Sequence, residues 1–493
     1  MNTYEQLLQR TREIALLSTT SSLLSWDQET RLPPEAAPYR AEQLAHLSGL
    51  IHRLATSDEI RRCLESCEAD LPAPGTLAWT NITRLRRRFD RAVKLPPDLV
   101  ESFARASSHA HHAWVHAKEQ SRFDLFAPHL QTLLDLTRQK ADCWGYADHP
   151  YDALLEGYEP GMTTRMAQAI LDHLASHQAS LLAEVASRFS NIPDHSLAGH
   201  YPISDQQRFN AEVATAFGFN LCAGRIDTAP HPFCTTLGPR DIRLTTRYRS
   251  DDFTYSLYSV IHEVGHGLYE QGLPAEHFGL PAGEAASLGL HESQSRLWEN
   301  KVARTLTFWD HWFPRAAVIF PDLAHRRPED VARHLLRVQP SLIRTEADEV
   351  SYDLHIILRF QIELGLLSGE FAVRDVPSVW NEKVKNLLGL EVPDDAHGCL
   401  QDIHWSMGGF GYFPTYTFGN LASAQLYEAA IAAVPSIPND LAHGQYDTLL
   451  GWMREHVHAH GERWTTPELV RQVTGQELSP EPQLRYLRAK YLD

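Results

Sequence analysis

The sequence has 493 residues, and 43% of them are hydrophobic, which is enough apolar material for a large buried core. The formal net charge is -17 and the basic residues form no continuous stripe, so nucleic acids and anionic membrane surfaces are excluded as expected partners. We also expect no membrane-spanning segment, since the chain lacks a run of about 18 apolar residues.

The six cysteines are sparse and none belongs to a Cys-x-x-Cys pair, which suits a reducing compartment. The N-terminus carries charges throughout and lacks the apolar stretch of a signal peptide. We therefore expect a cytoplasmic protein.

Most of the chain shows helical periodicity, with apolar residues three and four positions apart. The clearest stretches are 4–26, 166–189, 331–343, 353–367 and 421–434. Pro and Gly fall mostly at the ends of these stretches. Because no Gly/Ser linker, repeat or low-complexity segment interrupts the chain, we expect a single domain over residues 1–493.

Two regions break the helical pattern. In 231–256, the run "DIRLTTRY" alternates apolar and polar residues and predicts a strand, and "LGPRD" before it predicts a turn. We expect a small sheet of two or three strands just before His262. The second region, 394–420, is rich in Gly and aromatic residues and has no period. We expect it to be a long functional loop.

A possible metal site lies in "HEVGH" (262–266). On a helix over 254–271, His262 and His266 project from one face one turn apart, so both imidazoles can reach one ion. Glu263 stands beside the first histidine and can take a proton from water. An ordinary core helix with two histidines remains the alternative to this reading.

The third ligand decides between these readings. We expect a helix over 283–304, which offers Glu284, His291, Glu292 and Glu299. Glu292 lies in the polar stretch "HESQSR", where a buried carboxylate needs a partner or a metal. His291 is the competing ligand, but neighbours on one helix diverge by about 100°, so only one of the two faces the metal. We prefer Glu292, and we place Glu284 near the start of the helix.

Two histidines and one carboxylate form the ligand set of catalytic zinc sites, with a fourth position left for water. The metal lowers the pKa of that water toward about 7, and Glu263 acts as the general base. This arrangement predicts metal-assisted hydrolysis of an amide bond.

The sequence resembles the carboxypeptidase Taq family of metallocarboxypeptidases. The resemblance rests on blocks that follow the order of that family: "HPF" (231–233), "DIRLT" (241–245), "HEVGH" (262–266), "HESQ" (291–294), "IRTEAD" (343–348) and "GCLQDIHW" (398–405). Further similar stretches extend the match from about residue 20 to near the C-terminus.

The resemblance implies a mainly helical, zincin-like fold with a small β-sheet beside a deep active-site groove. It implies removal of single residues from peptide C-termini with broad specificity, though poorly next to proline. Zn²⁺ or, in some members, Co²⁺ is the implied metal, with one ion per chain in a homodimer. By motif, His262, His266 and Glu292 become the metal ligands, and Glu263 the proton donor and acceptor.

A carboxypeptidase must bind the terminal carboxylate of its substrate, and arginine does so with paired hydrogen bonds. Arg344 and Arg243 are the candidates. Each could instead form an ion pair that shapes the groove, with Asp348 or Asp241 respectively.

The tetrahedral intermediate needs hydrogen-bond donors for its oxyanion. The segment 398–416 offers His404, Tyr412 and Tyr416. We prefer His404 with Tyr412, by resemblance to other helical zinc peptidases, and keep Tyr416 as a substrate-binding candidate. Packing of an aromatic loop is the alternative.

His231 lines the site from the sheet side or has a structural role. Partners that orient the two ligand histidines should also exist, and Glu299 and Asp348 are the candidates.

Two other functions remain open. A zinc-dependent oligopeptidase or dipeptidase could use the same helix, because spacing does not show whether the groove is closed at one end. A non-catalytic helical scaffold with a decayed metal site is the second alternative, against which the intact Glu263 argues.

Overall fold

The computed structural model describes residues 2–189 and 197–492, and the chain is mainly helical, as the sequence predicts. In chain order, the helices α1 to α20 are Thr3–Thr30, Ala37–Ala55, Asp58–Glu68, Leu77–Val93, Pro97–Gln120, Phe123–Trp144, Pro150–Leu155, Thr164–Phe189, Ile203–Ala216, Phe253–Gly272, Leu288–Arg296, Leu306–Ile319, Pro328–Leu335, Tyr352–Ser368, Val376–Leu388, Pro414–Ala433, Ile437–Ala442, Asp447–His456, Thr466–Thr474 and Glu481–Tyr491.

The chain divides into two compact units, each assembled from three stretches of sequence. The first unit comprises Met1–Val93, Asp194–Leu336 and Leu426–Gln476, and the second comprises Lys94–Pro193, Arg337–Gln425 and Glu477–Asp493. Because both units are discontinuous, no linear boundary separates them, and no linker marks their limits in the composition. The single catalytic domain expected over 1–493 stays a prediction.

A three-stranded sheet lies in the first unit. Its strands are β1 (Gly224–Thr228), β2 (Cys234–Gly238) and β3 (Asp241–Thr246). The central strand β3 pairs with β1 in parallel and with β2 in antiparallel orientation. Ile242 and Leu244 are fully buried, which is the alternation that the sequence predicts. The expected small sheet before His262 is confirmed.

Helix α10 carries the two histidines of "HEVGH". It begins where Asp252 Oδ1 accepts hydrogen bonds from the backbone N–H groups of Thr254 and Tyr255, at 2.9 and 3.2 Å. Its apolar stripe is buried in the core of the first unit through Leu257, Val260, Ile261, Val264 and Leu268. This packing fixes the rotation of α10 and directs the opposite face toward the next helix.

Gly265 allows helices α10 and α11 to lie very close together. A Cβ atom at this position would stand 2.5 Å from Ser295 Cα and 2.6 Å from the backbone oxygen of Gln294. Contacts this short do not occur between a Cβ and backbone atoms, so only glycine fits. The close crossing brings the segment around Glu292 to the histidines on α10.

The helix expected over 283–304 differs from the observed one at both ends. Helix α11 begins only at Leu288, where Ser287 Oγ accepts a hydrogen bond from Leu290 N at 2.9 Å. After Arg296, the chain continues as a π-helix over Leu297–Ala303. Glu284 therefore lies outside the helix, because the serine cap starts it later.

Two other expected boundaries are wrong. The helix expected over 331–343 ends at Leu335. Pro340 excludes its continuation, because proline has no N–H to donate and its ring clashes with the carbonyl four residues earlier, at Leu336. The irregular segment expected over 394–420 ends earlier, since α16 begins at Pro414. Proline is favoured in the first turn of a helix, so Pro414 is a suitable start for α16. The many aromatic residues around Pro414 mask the helical periodicity of the sequence there.

Helix α14 runs through the core of the second unit. Almost all its residues are buried, including the charged side chains of Asp353, Arg359 and Glu363. Each of these charges needs a partner, because burying an unpaired charge is costly. Within the described residues, no helix combines the length and apolarity that crossing a membrane requires.

Candidate metal centre

Three side chains converge between α10 and α11. Glu292 Oε2 lies 3.7 Å from His262 Nε2 and 3.5 Å from His266 Nε2. One donor atom from each residue lies within 4.8 Å of the other two. The structure thus brings together the three residues that the sequence predicts as metal ligands.

The carboxylate of Glu292 is held by its own helix. Arg296 Nε donates to Oε1 at 2.7 Å, which leaves Oε2 facing the two histidines. Burial opposes ionisation, yet the Arg296 guanidinium and both histidines hold the pKa of Glu292 well below its usual range. Glu292 is therefore anionic near neutral pH, which is the form that binds a cation.

Glu299 orients the first histidine. Its Oε2 lies 2.9 Å from His262 Nδ1. Arg304 Nε and Nη2 donate to Oε1 at 3.2 and 3.1 Å, and Arg296 Nη1 donates to Oε2 at 3.3 Å. Burial raises the pKa of Glu299, but the two arginines and His262 lower it well below its usual range. Of the two partners that the sequence offers, the structure selects Glu299.

The π-helix sets the position of Glu299. The backbone carbonyl of Glu299 accepts a hydrogen bond from Arg304 N at 2.9 Å. Donor and acceptor are five residues apart, which is the hydrogen-bond pattern of a π-helix. The wider turn places Arg304 where its side chain also reaches the Glu299 carboxylate. π-Helices are rare and concentrate at functional sites, and sequence periodicity does not detect them.

A chain of hydrogen bonds orients the second histidine. His266 Nδ1 lies 2.5 Å from His291 Nδ1, and His291 Nε2 lies 2.8 Å from Glu270 Oε1. Thr236 Oγ1 donates to Glu270 Oε2 at 2.7 Å. His291, the competing ligand in the sequence analysis, thus contacts the outer side of His266. Glu270 was missed, although it follows His266 by one helical turn on the same face.

Burial also controls the charge on the second histidine. Burial and the neighbouring His291 lower the pKa of His266 to about 4. The imidazole is therefore neutral near pH 7, which leaves a lone pair on Nε2. A neutral imidazole is the form that coordinates a metal.

Glu263 follows the first histidine on α10, and its side chain is buried. Burial raises its pKa to about 7, while His262 lowers it and Glu292 raises it. A carboxyl group with a pKa near neutrality can both accept and release a proton.

The aromatic candidates lie together in the second unit. His404 Nε2 lies 3.4 Å from the Tyr416 hydroxyl, and the rings of His404 and Tyr412 have centroids 5.2 Å apart. Burial lowers the pKa of His404 to about 4. Its Nδ1 atom is buried and has no hydrogen-bond partner among the described residues. The structure groups these three residues, and their roles stay predictions.

Arg344 is buried beside them, in a different ion pair from the expected one. Its Nε and Nη2 atoms donate to Asp402 Oδ1 at 3.0 and 2.8 Å, and Nη1 donates to the Tyr352 hydroxyl at 3.1 Å. Arg359 Nε donates to the other oxygen of Asp402 at 2.6 Å. Asp348, the partner and orienting residue considered from the sequence, instead accepts hydrogen bonds from three backbone N–H groups.

The two remaining substrate-binding candidates, Arg243 and His231, lie in or next to the sheet. Arg243 donates to both oxygens of Asp241 at 2.8 and 2.9 Å, which is the ion pair that the sequence suggests. Its guanidinium also stands 4.3 Å from the ring centroid of Trp26. The side chain of His231 is exposed, and its backbone oxygen accepts a hydrogen bond from Thr245. Substrate contacts of Arg243 and His231 stay predictions.

The chain is similar to known metallopeptidases along nearly its whole length. The family model of the carboxypeptidase Taq (M32) metallopeptidases matches residues 6–491. Thermostable carboxypeptidase 1 of Thermus thermophilus is 41% identical, over 99% of this chain and 98% of that protein. The structure of an M32 carboxypeptidase from Deinococcus radiodurans R1 is similar with a TM-score of 0.96 at 38% identity, over 100% of this chain and 99% of the other.

A Pyrococcus furiosus carboxypeptidase structure is similar with a TM-score of 0.97 at 34% identity, over 100% of this chain and 99% of the other. These matches extend over nearly the entire chain and include the segments of the metal centre. The chain therefore belongs to the carboxypeptidase Taq (M32) family of metallopeptidases.

Proposed function

We propose that this protein releases single amino acids from the C-termini of peptides, with broad side-chain specificity and poor cleavage next to proline. The observation that carries the proposal is the convergence of His262, His266 and Glu292 beside the buried Glu263. Membership of a carboxypeptidase family supports action at the C-terminus.

The donor set fits one Zn²⁺ ion per chain, with Co²⁺ as the alternative. Ligand atoms about 3.4 Å apart are expected around a tetrahedral ion with bonds of 2.0–2.1 Å. The measured distances of 3.5 and 3.7 Å from Glu292 Oε2 to the histidine nitrogens are close to this spacing. When bound, the metal would supply Lewis-acid activation of water and of the scissile carbonyl.

Glu263 performs the proton transfers in this proposal. Its carboxylate accepts a proton from the attacking water and later gives it to the nitrogen of the leaving amino acid. Burial supports this role because it keeps the pKa of Glu263 near 7, where both transfers are possible. Glu299 and His291 keep the ligand histidines oriented through the hydrogen bonds described above.

Arg344 is proposed to bind the terminal carboxylate of the substrate. The support is a charge imbalance, since Arg344 and Arg359 share the single carboxylate of Asp402. The described contacts use three of the five N–H donors of the Arg344 guanidinium. A substrate carboxylate would compensate the remaining positive charge.

His404 and Tyr412 are proposed to donate hydrogen bonds to the oxyanion of the tetrahedral intermediate, with Tyr416 in contact with substrate. The low pKa of His404 keeps the imidazole neutral, so one ring nitrogen carries a proton that it can donate. Tyr416 competes with Tyr412 for the role of oxyanion donor, because its hydroxyl lies beside the His404 ring, 3.4 Å from Nε2.

Substrates that differ only at their ends test the proposed function. A peptide with a blocked N-terminus and a free C-terminus should release single C-terminal amino acids, and amidation of its C-terminus should abolish release. Cleavage of peptides blocked at both ends would support an oligopeptidase instead. Hydrolysis of dipeptides without release of single residues from longer peptides would support a dipeptidase. Absence of hydrolysis in the zinc-loaded protein would support a scaffold. The homodimer and the cytoplasmic location stay predictions.

A further inference from the structure

Glu363 on α14 is a buried carboxylate that takes no part in the metal centre. Its side chain is fully buried within the second unit. Oε2 accepts hydrogen bonds from the Tyr151 hydroxyl at 2.8 Å and from Gly411 N at 3.0 Å, while Oε1 accepts one from Trp405 Nε1 at 2.9 Å. One carboxylate on α14 therefore joins α7, through Tyr151, to the segment that contains Trp405 and Gly411.

Two of these donors lie next to the proposed oxyanion donors. Trp405 directly follows His404 in the 3₁₀ turn His404–Met407, and Gly411 directly precedes Tyr412. The segment 404–412 is thus attached to Glu363 near both of its ends.

The backbone at Gly411 leaves this segment little freedom. Gly411 has a φ of +87°, a left-handed conformation that favours glycine. A Cβ atom there would lie 2.9 Å from the backbone carbon of Leu154 on α7. The loop is therefore pressed against α7, the helix that also supplies Tyr151 to Glu363.

Aromatic contacts also restrict the side chains of His404 and Tyr412. The ring of Tyr412 packs edge-on against Tyr158, with centroids 5.2 Å apart. The ring of His404 packs against Tyr412 and against Phe413, with centroids 5.2 and 4.4 Å apart. A shift of the segment would therefore move the rings of His404 and Tyr412 together.

A buried carboxylate is costly, and substitution with an apolar residue leaves buried donors unpaired. Oε2 can accept its two hydrogen bonds whether or not the other oxygen carries a proton. A glutamine would keep one acceptor oxygen, but its amide NH₂ would face at least one of the three donors. The site is thus specific for a carboxyl group.

We propose that Glu363 is a positioning residue that fixes His404 and Tyr412 for catalysis by holding Trp405 and Gly411. The inference rests on the proposed function, because it assigns a purpose to the donors of the oxyanion. Glu363 acts through these neighbours and has no contact with substrate.

Steady-state kinetics of Glu363→Gln in the zinc-loaded enzyme test the proposal. We expect kcat to fall about 10- to 100-fold, because small misplacements of catalytic groups have effects of this size. KM should change less than about twofold, since the oxyanion exists only in the transition state. Gln361→Ala is the control on the same helix, because the side chain of Gln361 accepts a hydrogen bond from Lys383 of α15 at 2.9 Å. It should leave kcat unchanged.

A double-mutant cycle shows whether Glu363 acts through the loop. In a Tyr412→Phe background, Glu363→Gln should reduce kcat less than it does in the wild type. Full additivity, or wild-type kcat in folded Glu363→Gln, would overturn the proposal. If Glu363→Gln does not fold, Trp405→Phe removes one donor from the same carboxylate, and unchanged kcat in that variant would also overturn it.

The cycle separates this proposal from the proposed function. If Tyr412→Phe and His404→Ala both retain wild-type kcat, the roles of the oxyanion donors are wrong, and positioning by Glu363 is overturned with them. If those variants lose activity while Glu363→Gln does not, the roles of the donors stand and only the positioning is wrong.

Discussion

The Nδ1 atoms of His266 and His291 lie 2.5 Å apart, so one of these two histidines must donate a proton to the other. If His266 binds a metal through Nε2, its proton is on Nδ1 and His266 is the donor. His291 then accepts on Nδ1 and carries its own proton on Nε2, which points to Glu270 Oε1 at 2.8 Å. The hydrogen-bond chain therefore selects one tautomer for each histidine.

Replacing His291 with phenylalanine removes this acceptor while keeping a planar ring. We expect the affinity for Zn²⁺ to fall about 10- to 100-fold, which is the usual effect of removing a partner of a ligand histidine. Competition with a chromophoric chelator measures it directly. His177→Phe, at an exposed histidine of α8, is the control and should bind like the wild type. Equal affinity in the two variants would contradict the tautomer argument.

The ligand set could be predicted from the sequence, while its supporting residues could not. His262 and His266 are four residues apart, and this spacing alone puts them on one face of a helix. The contact of His291 with His266 depends on how closely α10 and α11 cross, which Gly265 determines. A crossing distance is a tertiary property that periodicity does not contain.

The ion-pair partner of Arg344 could not be predicted from the sequence either. Proximity in the sequence suggested Asp348 as the partner of Arg344, but the observed partner is Asp402, 58 residues away. Asp348 is already satisfied by backbone N–H groups that cap the turn before α14. Blocks of sequence can therefore identify the residues of a site without showing which of them are paired.

Glu263→Gln separates metal binding from proton transfer. The amide has the shape of the carboxylate but cannot accept the proton of water, so we expect kcat to fall by about 10²- to 10⁴-fold or more. Metal content should stay at one ion per chain, since Glu263 is not among the converging donors. Metal analysis by mass spectrometry and release of a C-terminal residue are the two measurements. Turnover near the wild-type rate would contradict the role of Glu263 as the base.

Arg344→Lys tests recognition of the substrate carboxylate. Lysine keeps the charge but loses the planar fork that forms paired hydrogen bonds. We expect kcat/KM to fall at least about tenfold for peptides with a free C-terminus. Arg243→Lys is the comparison variant, because Arg243 forms its ion pair with Asp241 in the sheet. A larger loss in Arg243→Lys would transfer the proposed role to that residue.

The pH dependence of stability tests the environment of Glu363. Burial raises its pKa to about 7, although its three hydrogen-bond donors lower it, whereas the ordinary value for glutamate is 4.5. Between pH 4.5 and 7, the native protein holds a proton here that the unfolded chain has released. The contribution of Glu363 to the free energy of unfolding therefore decreases as the pH rises through this window.

The expected decrease is about 3 kcal/mol in total, at about 1.4 kcal/mol for each pH unit of difference between the two states. Glu363→Gln cannot titrate, so the stability of the wild type relative to this variant should fall from pH 4.5 to 7 and then stay constant. Urea unfolding at several pH values measures the difference, and loss of metal at low pH cancels because both proteins undergo it. Glu370→Gln, at an exposed carboxylate just after α14, provides the baseline. If the difference rises with pH, the carboxylate is stabilised in its charged form, and its hydrogen bonds outweigh its burial.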